Sequence, residues 1–352
     1  MSKVYFKKIK DSESGDAINS ALETIIKETS ILDFVERDDF TGIKMHFGET
    51  GNKGRINTEF IKSIVKILGK KTKNLFLTDA NVIYRTGKRW NSVGHLKIAD
   101  EHGFKISDLG IPVIISDGIM GRSYRNMPVN KKHFKEVKIA ADYFDIDALI
   151  SLAHVTGHML TSIAASIKNI GMGCASRAGK LEQHSNAKPE ITLTSCIGCG
   201  LCSTRCPEKA ISIKGDKASI NTKLCIGCGE CTVICRYDAI KIKWSEKVEI
   251  LQEKMVEYAY GLKCLFKSKI SFFNFLINIT KDCDCLQEEV KKIVPDIGIL
   301  ASLDPVAIDK ASVDLVKIGN FKKGYPDIDW EPQFRYAEEI GLGSTEYELI
   351  EI

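Results

Sequence analysis

The sequence predicts an α/β protein with a mainly parallel sheet and flanking helices, into which a smaller α+β segment is inserted. Three observations predict it. Short apolar runs alternate with segments of helical periodicity from residue 3 to about 168 and again beyond 245, the pattern of strands joined by helical crossovers. The apolar runs are nearly continuous, as in strands covered on both faces. Between the two stretches stands a tandem cysteine repeat with strands of its own. The expected domains are one α/β domain in two parts, 1–188 and 245–352, and an inserted segment, 189–244.

Residues 3–8 read as a strand, and 15–35 carry apolar residues at helical spacing. Gly42–Gly48 is a short apolar strand ending in polar residues and glycine. A helix is expected over 57–69, with Asn57 as N-cap and Glu59 in the first turn. Leu75–Asn81 is a strand with a polar end, 91–102 a helix, Pro112–Asp117 a strand and 135–145 a helix. Ala148–His154 is a strand, followed by a helix over Thr161–Lys168. After the insertion come a helix at 246–261, a strand at Ile270–Ile279 and a helix near 286–292. The strand Asp296–Ala301 follows, and Asp304-Pro-Val opens a helix. Ligands of open parallel sheets bind beyond the carboxyl ends of the strands. His46, Asp79, Asn81 and His154 are expected there.

The inserted segment repeats C-x2-C-x2-C-x3-C twice. The first copy is Cys196, Cys199, Cys202 and Cys206, followed by Pro207; the second is Cys225, Cys228, Cys231 and Cys235, followed by Arg236. This is the spacing that ligates cubane iron–sulfur clusters, three thiolates of a run taking one cluster and the fourth the other. Cluster I is assigned to Cys196, Cys199, Cys202 and Cys235, and cluster II to Cys225, Cys228, Cys231 and Cys206. Structural zinc uses paired knuckles from separate loops, not two such runs. Ala210–Lys214 recurs as Ala239–Lys243, and these two strands are expected to pair around a pseudo-twofold axis. The whole segment closely resembles a bacterial-type two-cluster ferredoxin domain. Its basic excess, eight Lys or Arg against four Asp or Glu over 196–243, neutralises such clusters or offers a docking face to an acidic carrier.

A second constellation is dense in reactive types: His154, His158, Lys168, Cys174, Arg177, Lys180 and His184. Cys283 and Cys285 share one face if their strand persists, and two thiolates so placed reach one metal. A third metal or cluster at Cys174, His184, Cys283 and Cys285 is one reading. Another has the glycines with Lys168, Arg177 and Lys180 cradling a phosphate or carboxylate at a helix start. Lys44, His46 and Glu49 are acid–base candidates, and Cys264 reads as core. All of these positions also have an ordinary structural reading.

Lys44–Glu49, Thr78–Asn81, Lys168–Cys174, Asp282–Cys285 and Asp304–Asp309 together resemble the domain of unknown function 362 family. The resemblance covers nearly the whole chain. It implies an iron–sulfur centre protein of anaerobic bacteria or archaea and brings no settled reaction.

The 352 residues and a 44% apolar composition suit a large core. A net charge of +4 is too small to argue for nucleic acid. The Met-Ser-Lys start and the lack of long apolar runs suggest a cytoplasmic protein without a membrane span, where twelve cysteines imply metal ligation rather than disulfides. The expectation is a redox protein with two [4Fe-4S] clusters. They exchange electrons with a second site, where Lys44, His46, His154 and His158 are the catalytic candidates. A ferredoxin, flavodoxin or reductase would be its partner. The alternatives are a non-enzymatic carrier or sensor, and a metal-dependent isomerase or transferase with structural clusters.

Overall fold

The computed structural model describes residues 1–10, 15–83, 87–184, 189–206, 208–225, 229–241, 247–285 and 291–352. The first part of the chain forms β1 (Ser2–Lys8), α1 (Gly15–Glu28), β2 (Phe40–Lys44), a 3-10 turn (Thr58–Ile61) leading into α2 (Lys62–Lys71), and β3 (Asn74–Asp79). It continues through α3 (Ser92–Glu101), the short α4 (Ile106–Leu109), β4 (Val113–Ile115), β5 (Tyr124–Pro128) and β6 (Glu136–Ala140). A second 3-10 turn (Ala141–Asp145) precedes β7 (Ala148–His154), β8 (Thr156–His158), β9 (Ser162–Ala164), α5 (Ser166–Gly171) and α6 (Arg177–His184). An excursion follows: β10 (Glu190–Ile191), α7 (Leu201–Thr204), β11 (Ile211–Lys214), β12 (Lys217–Ile220), α8 (Glu230–Ile234) and β13 (Ile240–Lys241). The chain then returns with α9 (Val248–Phe266), β14 (Ile270–Leu276), β15 (Gly298–Ser302), α10 (Pro305–Val316), α11 (Ile318–Lys322), α12 (Glu331–Glu339) and β16 (Tyr347–Glu351).

Eight strands form the central sheet in the order β16-β1-β15-β14-β7-β2-β3-β4. Only β15 runs against its neighbours β1 and β14; the other pairings are parallel. The two parts of the chain meet at the β7–β14 pairing, which joins Leu149 to Ile270 and His154 to Phe275, and again at β1, which lies between β15 and β16. Successive side chains on these strands go to opposite faces. Leu149, Phe272 and Leu300 pack with α5, α9, α10 and α12 on one side. Ile150, Phe273 and Ile299 pack with α1 and α2 on the other. The result is a mixed α/β fold with a large, mostly parallel central sheet between helical layers. Asn57 caps the first turn of the α2 segment by accepting from the Glu59 amide, and Asp304 caps α10 by accepting from the Val306 and Ala307 amides.

Several expectations need correction. The helix placed at 135–145 is half strand: β6 pairs with β5 and buries Val137 and Ile139 on alternate positions, a period of two rather than 3.6. The helix placed at Thr161–Lys168 is β9, paired antiparallel with β8, and only then α5. The helix of 15–35 ends at Glu28. The repeated strands do not pair with each other. β11 pairs with β12, because the two-residue turn Gly215-Asp216 gives it a hairpin partner, and β13 closes the excursion against β10 at its start. Residues 286–290, where a helix was expected, lie outside the described residues; Lys292 makes a bridge to Thr280 rather than a helix. Cys264 is half-buried rather than core. No helix among the described residues is long and apolar enough to cross a membrane.

Candidate functional site

The polar ends of the parallel strands meet the loops that follow them in a cavity of roughly 120 Å³. Lys44 ends β2 and His46 follows it, Asp79 ends β3, and His154 ends β7. Lys168 comes from α5, Lys180 and His184 from α6, and Cys283 and Cys285 from the loop beyond β14; all of them line this cavity. The expected gathering at the strand ends is therefore found. Asn81 stands behind it, its amide donating to Asp117 Oδ1 at 2.7 Å. Arg177 is also elsewhere, donating to the carbonyls of Trp90 and Ile83. The glycines 171 and 173 close α5 rather than open a helix, which removes the helix-start cradle.

Lys44 is 1% exposed. Its Nζ lies 3.1 Å from Asp79 Oδ1 and donates to Asn169 Oδ1 at 2.8 Å. Burial alone would raise the Asp79 pKa, but the Lys44 ammonium and the adjacent His95 ring hold it well below the usual range. Glu49 is tied to Arg89, with 3.3 Å between Oε2 and Nε.

The histidines sort by the partners of their nitrogens. His154 faces an acceptor on each side, Asp284 Oδ2 at 2.9 Å from Nδ1 and the Ile277 carbonyl at 2.8 Å from Nε2. Both nitrogens donate, so the ring is an imidazolium; burial opposes that charge, but Asp284 outweighs it and raises the pKa. His154 is therefore a strut between β7 and the cysteine loop. His46 Nδ1 accepts from the Gly48 amide at 3.0 Å, which places the proton on Nε2. His158 Nδ1 accepts from the Leu160 amide at 3.2 Å, with the same result. Burial holds both pKa values well below normal, so each ring is neutral. His184 is the opposite tautomer: Nδ1 donates to the Lys180 carbonyl at 2.8 Å, and burial pushes its pKa down to about 4. Burial likewise lowers Lys168 and Lys180 to about 8.

The sulfurs of Cys283 and Cys285 are joined as a disulfide. Reduced to thiolates, they and a His158 nitrogen, whose ligand atoms lie within 4.8 Å of one another, could hold a metal ion. Their strand ends at Leu276, so a turn, not a shared strand face, brings them together. Ligation through His158 Nε2 would displace the proton it carries; metal-bound histidines ordinarily donate from the other nitrogen. Cys174 does not join the group. It is buried near Asn169 and Tyr143, and burial pushes its thiol up to about 11. Sequence reasoning missed Arg89 and His95, which are buried against Asp79 and carry no periodic signal.

The excursion has its own small core of Cys196, Cys202, Cys231, Cys235, Ile211, Ala218, Ala239 and Ile240. Cys228 lies outside the described residues, as does Pro207. Cys199 is exposed, and Cys206 and Cys225 are half-buried. Backbone amides point at sulfur: Ala210 N to Cys206 Sγ at 3.2 Å, Ala239 N to Cys235 Sγ at 3.3 Å, and Ala218 N to Cys196 Sγ at 3.4 Å. The first two are equivalent positions of the repeat. At Cys196 the Ala218 and Gly198 amides lower the thiol pKa and favour the thiolate, the metal-binding form. Burial raises the Cys202 thiol, and the nearby Cys199 and Cys235 sulfurs raise it further; Cys235 of the second run thus stands beside the first run. These cysteines suit metal binding. Gly229, at the start of α8 and two residues before Cys231, rests on Leu181 of α6: a Cβ there would fall 1.4 Å from Leu181 Cδ2.

A family model described as a domain of unknown function (DUF362) matches residues 41–314. No functionally curated protein matches the sequence. Among solved structures, the lactate racemase apoprotein from Thermoanaerobacterium thermosaccharolyticum is similar with a TM-score of 0.42 and 12% identity, over 78% of this chain and 50% of that one. A structural-genomics protein from Thermotoga maritima gives a TM-score of 0.39 and 10% identity, over 94% of this chain and 60% of that one. The chain thus spans about half to three-fifths of these longer proteins, and at this distance neither likeness bears on what it does.

Proposed function

We propose that this chain, which belongs to the domain of unknown function (DUF362) family, is an iron–sulfur redox protein with two [4Fe-4S] clusters that exchanges electrons with a site in the strand-end pocket. The cysteines of residues 189–244 would hold the clusters in an inserted two-cluster ferredoxin-type domain, crosswise as the repeat spacing implies. Bound there, such clusters supply one-electron transfer at low potential.

The observation that carries the proposal is the seat of Gly229 on Leu181. The ligand loop of the second run rests on α6, and α6 delivers Lys180 and His184 to the pocket. One helix therefore separates the second cysteine run from the pocket. The pocket's own residues divide the remaining work. Lys44 and His154 fix the strand ends through Asp79 and Asp284. His46 and His158, neutral with the proton on Nε2, offer hydrogen-bond donors rather than acids. The Cys283, Cys285 and His158 group is the candidate third metal site or redox-active pair.

Iron and sulfide content of anaerobically purified protein, with EPR before and after dithionite, tests the proposal. Two clusters predict about eight irons and a spin-coupled reduced spectrum; substoichiometric iron with tightly held zinc would sink it. A carrier or sensor role is the second reading, favoured by the exposed apolar side chains Leu193, Ile197, Leu224 and Tyr237 on the excursion, which suit docking to a ferredoxin, flavodoxin or reductase. Serine at both Cys283 and Cys285 separates the two. Unchanged metal content and unchanged activity would leave the pocket as a docking platform only.

A further inference from the structure

We infer that the strand-end pocket is a receptor for a small carboxylate, gripped by the Arg89 guanidinium and the Lys168 ammonium. The inference rests on the pocket being the reactive site, and not on electron transfer.

Its basis is a set of donors without acceptors. Arg89 is 1% exposed and lines the cavity. Its Nε reaches Glu49, yet Nη1 and Nη2 have no hydrogen-bond partner among the described residues. Asp79 Oδ2, at 3.8 Å from Nη1, is beyond hydrogen-bond reach. Buried N–H groups left this way cost free energy that a bound acceptor recovers. Lys168 Nζ likewise makes no hydrogen bond or ion pair of its own with a described residue; the Asp284 carboxylate only favours its charge from farther off. His46 adds its Nε2–H on the same wall.

The charges of the cavity have the same sense. Lys44 is matched by Asp79, His154 by Asp284, and Arg89 by Glu49. Asp117, which like Glu49 stands outside the lining, favours the Lys180 charge, so Lys168 remains as the surplus among the lining residues. A cavity of roughly 120 Å³ has the volume of about four waters at ~30 Å³ each, which admits an anion of a few non-hydrogen atoms. Two adjacent guanidinium nitrogens with their hydrogens unused match the two oxygens of a carboxylate, once the side chain, whose nitrogens are sealed from the cavity in this conformation, turns toward it. Burial has weakened the Lys168 charge, with its pKa at about 8; an anion beside it would restore that charge.

Isothermal titration of the full chain, purified anaerobically with its metal content intact and no electron donor present, tests the inference. The probes are acetate, oxalate and malonate, with acetamide as the uncharged control and inorganic phosphate as the tetrahedral one. At least one carboxylate is expected to bind with submillimolar affinity, and acetamide not at all. Lys168→Met should weaken the carboxylate at least tenfold. Arg89→Lys, which keeps a cation beside Glu49 and removes the fork, should weaken it comparably. Silence with all three carboxylates, equal binding of acetamide, tighter binding of phosphate than of every carboxylate, or an unaltered affinity in Lys168→Met would each overturn the inference. Eight reducible irons without carboxylate binding would remove this inference alone. Carboxylate binding by protein that never takes up iron would remove the redox proposal alone.

Discussion

Lys44 places a full charge where water does not reach, and what surrounds it determines what it can do. Its Nζ is held between Asp79 and Asn169, so its first role is to keep the ends of β2, β3 and α5 in register. Removing one partner of a buried ion pair leaves the other uncompensated. Lys44→Met is expected to cost about 3 kcal/mol in urea unfolding, independent of any ligand. Asp309 is a second buried acid. Burial pushes its pKa up to about 7, against donors from Asn274, Ile167 and Ser166. The unfolded carboxyl ionises near its ordinary 3.8. Between these values the folded state binds more protons, so this group's contribution to stability falls as pH rises from about 4 to about 7. Relative to Asp309→Asn, the native chain should hold its largest advantage near pH 4 and lose it progressively toward neutrality. A constant difference in urea midpoints across that range would contradict this. At this scale the strand-end residues Lys44, His46, Asp79 and His154 were legible, because a polar residue closing an apolar run has few other places to go. Their roles were not, since the charge of a ring such as His154 depends on acceptors distant in sequence. Ile277, for example, lies 123 positions from the ring it fixes.

Single elements explain what the pattern could and could not convey. α10 was readable from Asp304-Pro305, a cap followed by a residue that needs no amide partner. Asp304 also accepts from Ser2 Oγ and the Ser344 amide, so Asp304→Ala should cost about 2 kcal/mol, the upper end for a lost cap; thermal unfolding would measure it. The hairpins β5–β6 and β8–β9 were not readable as such. Each offers too few alternating positions to outweigh a helical reading of the same apolar residues, and their pairing partners decide the matter. The pairing of β11 and β13 failed for the converse reason: an internal repeat reports similarity, not pairing, and β11 is taken by its hairpin partner β12 and β13 by β10 at the far end of the excursion. Gly229, the N-cap of α8, has φ of +71° and lies against the Leu181 side chain. Gly229→Ala is expected to disturb the second ligand loop, reading out as lower iron retention. Leu181→Ala in the same chain should recover part of it by clearing the space; a double variant no better than the single would assign the loss to backbone conformation alone.

For the molecule as a whole, the two cores are unequal. The sheet is packed on both faces by long apolar side chains, whereas the excursion's core is four cysteines with two isoleucines and two alanines. Stripping iron with a chelator under oxidising conditions should therefore melt the excursion and leave the sheet. Circular dichroism should then lose only a small part of its helical signal, with the main unfolding transition kept; collapse of both together would mean that the sheet depends on the metal.

β10 and β13 pair side by side at Glu190–Lys241 and Ile191–Ile240. The polypeptide accordingly departs and comes back at nearly one point, adjacent strands lying about 4.8 Å apart. Loop-closure entropy for the surrounding fold is thus close to that of a short hairpin, however much chain lies beyond the pair. The arrangement makes the module exchangeable. Joining Ile191 to Ile240 through a two-residue turn should leave a chain that still assembles its eight-stranded sheet, with Leu181 as the apolar scar where the module had been seated.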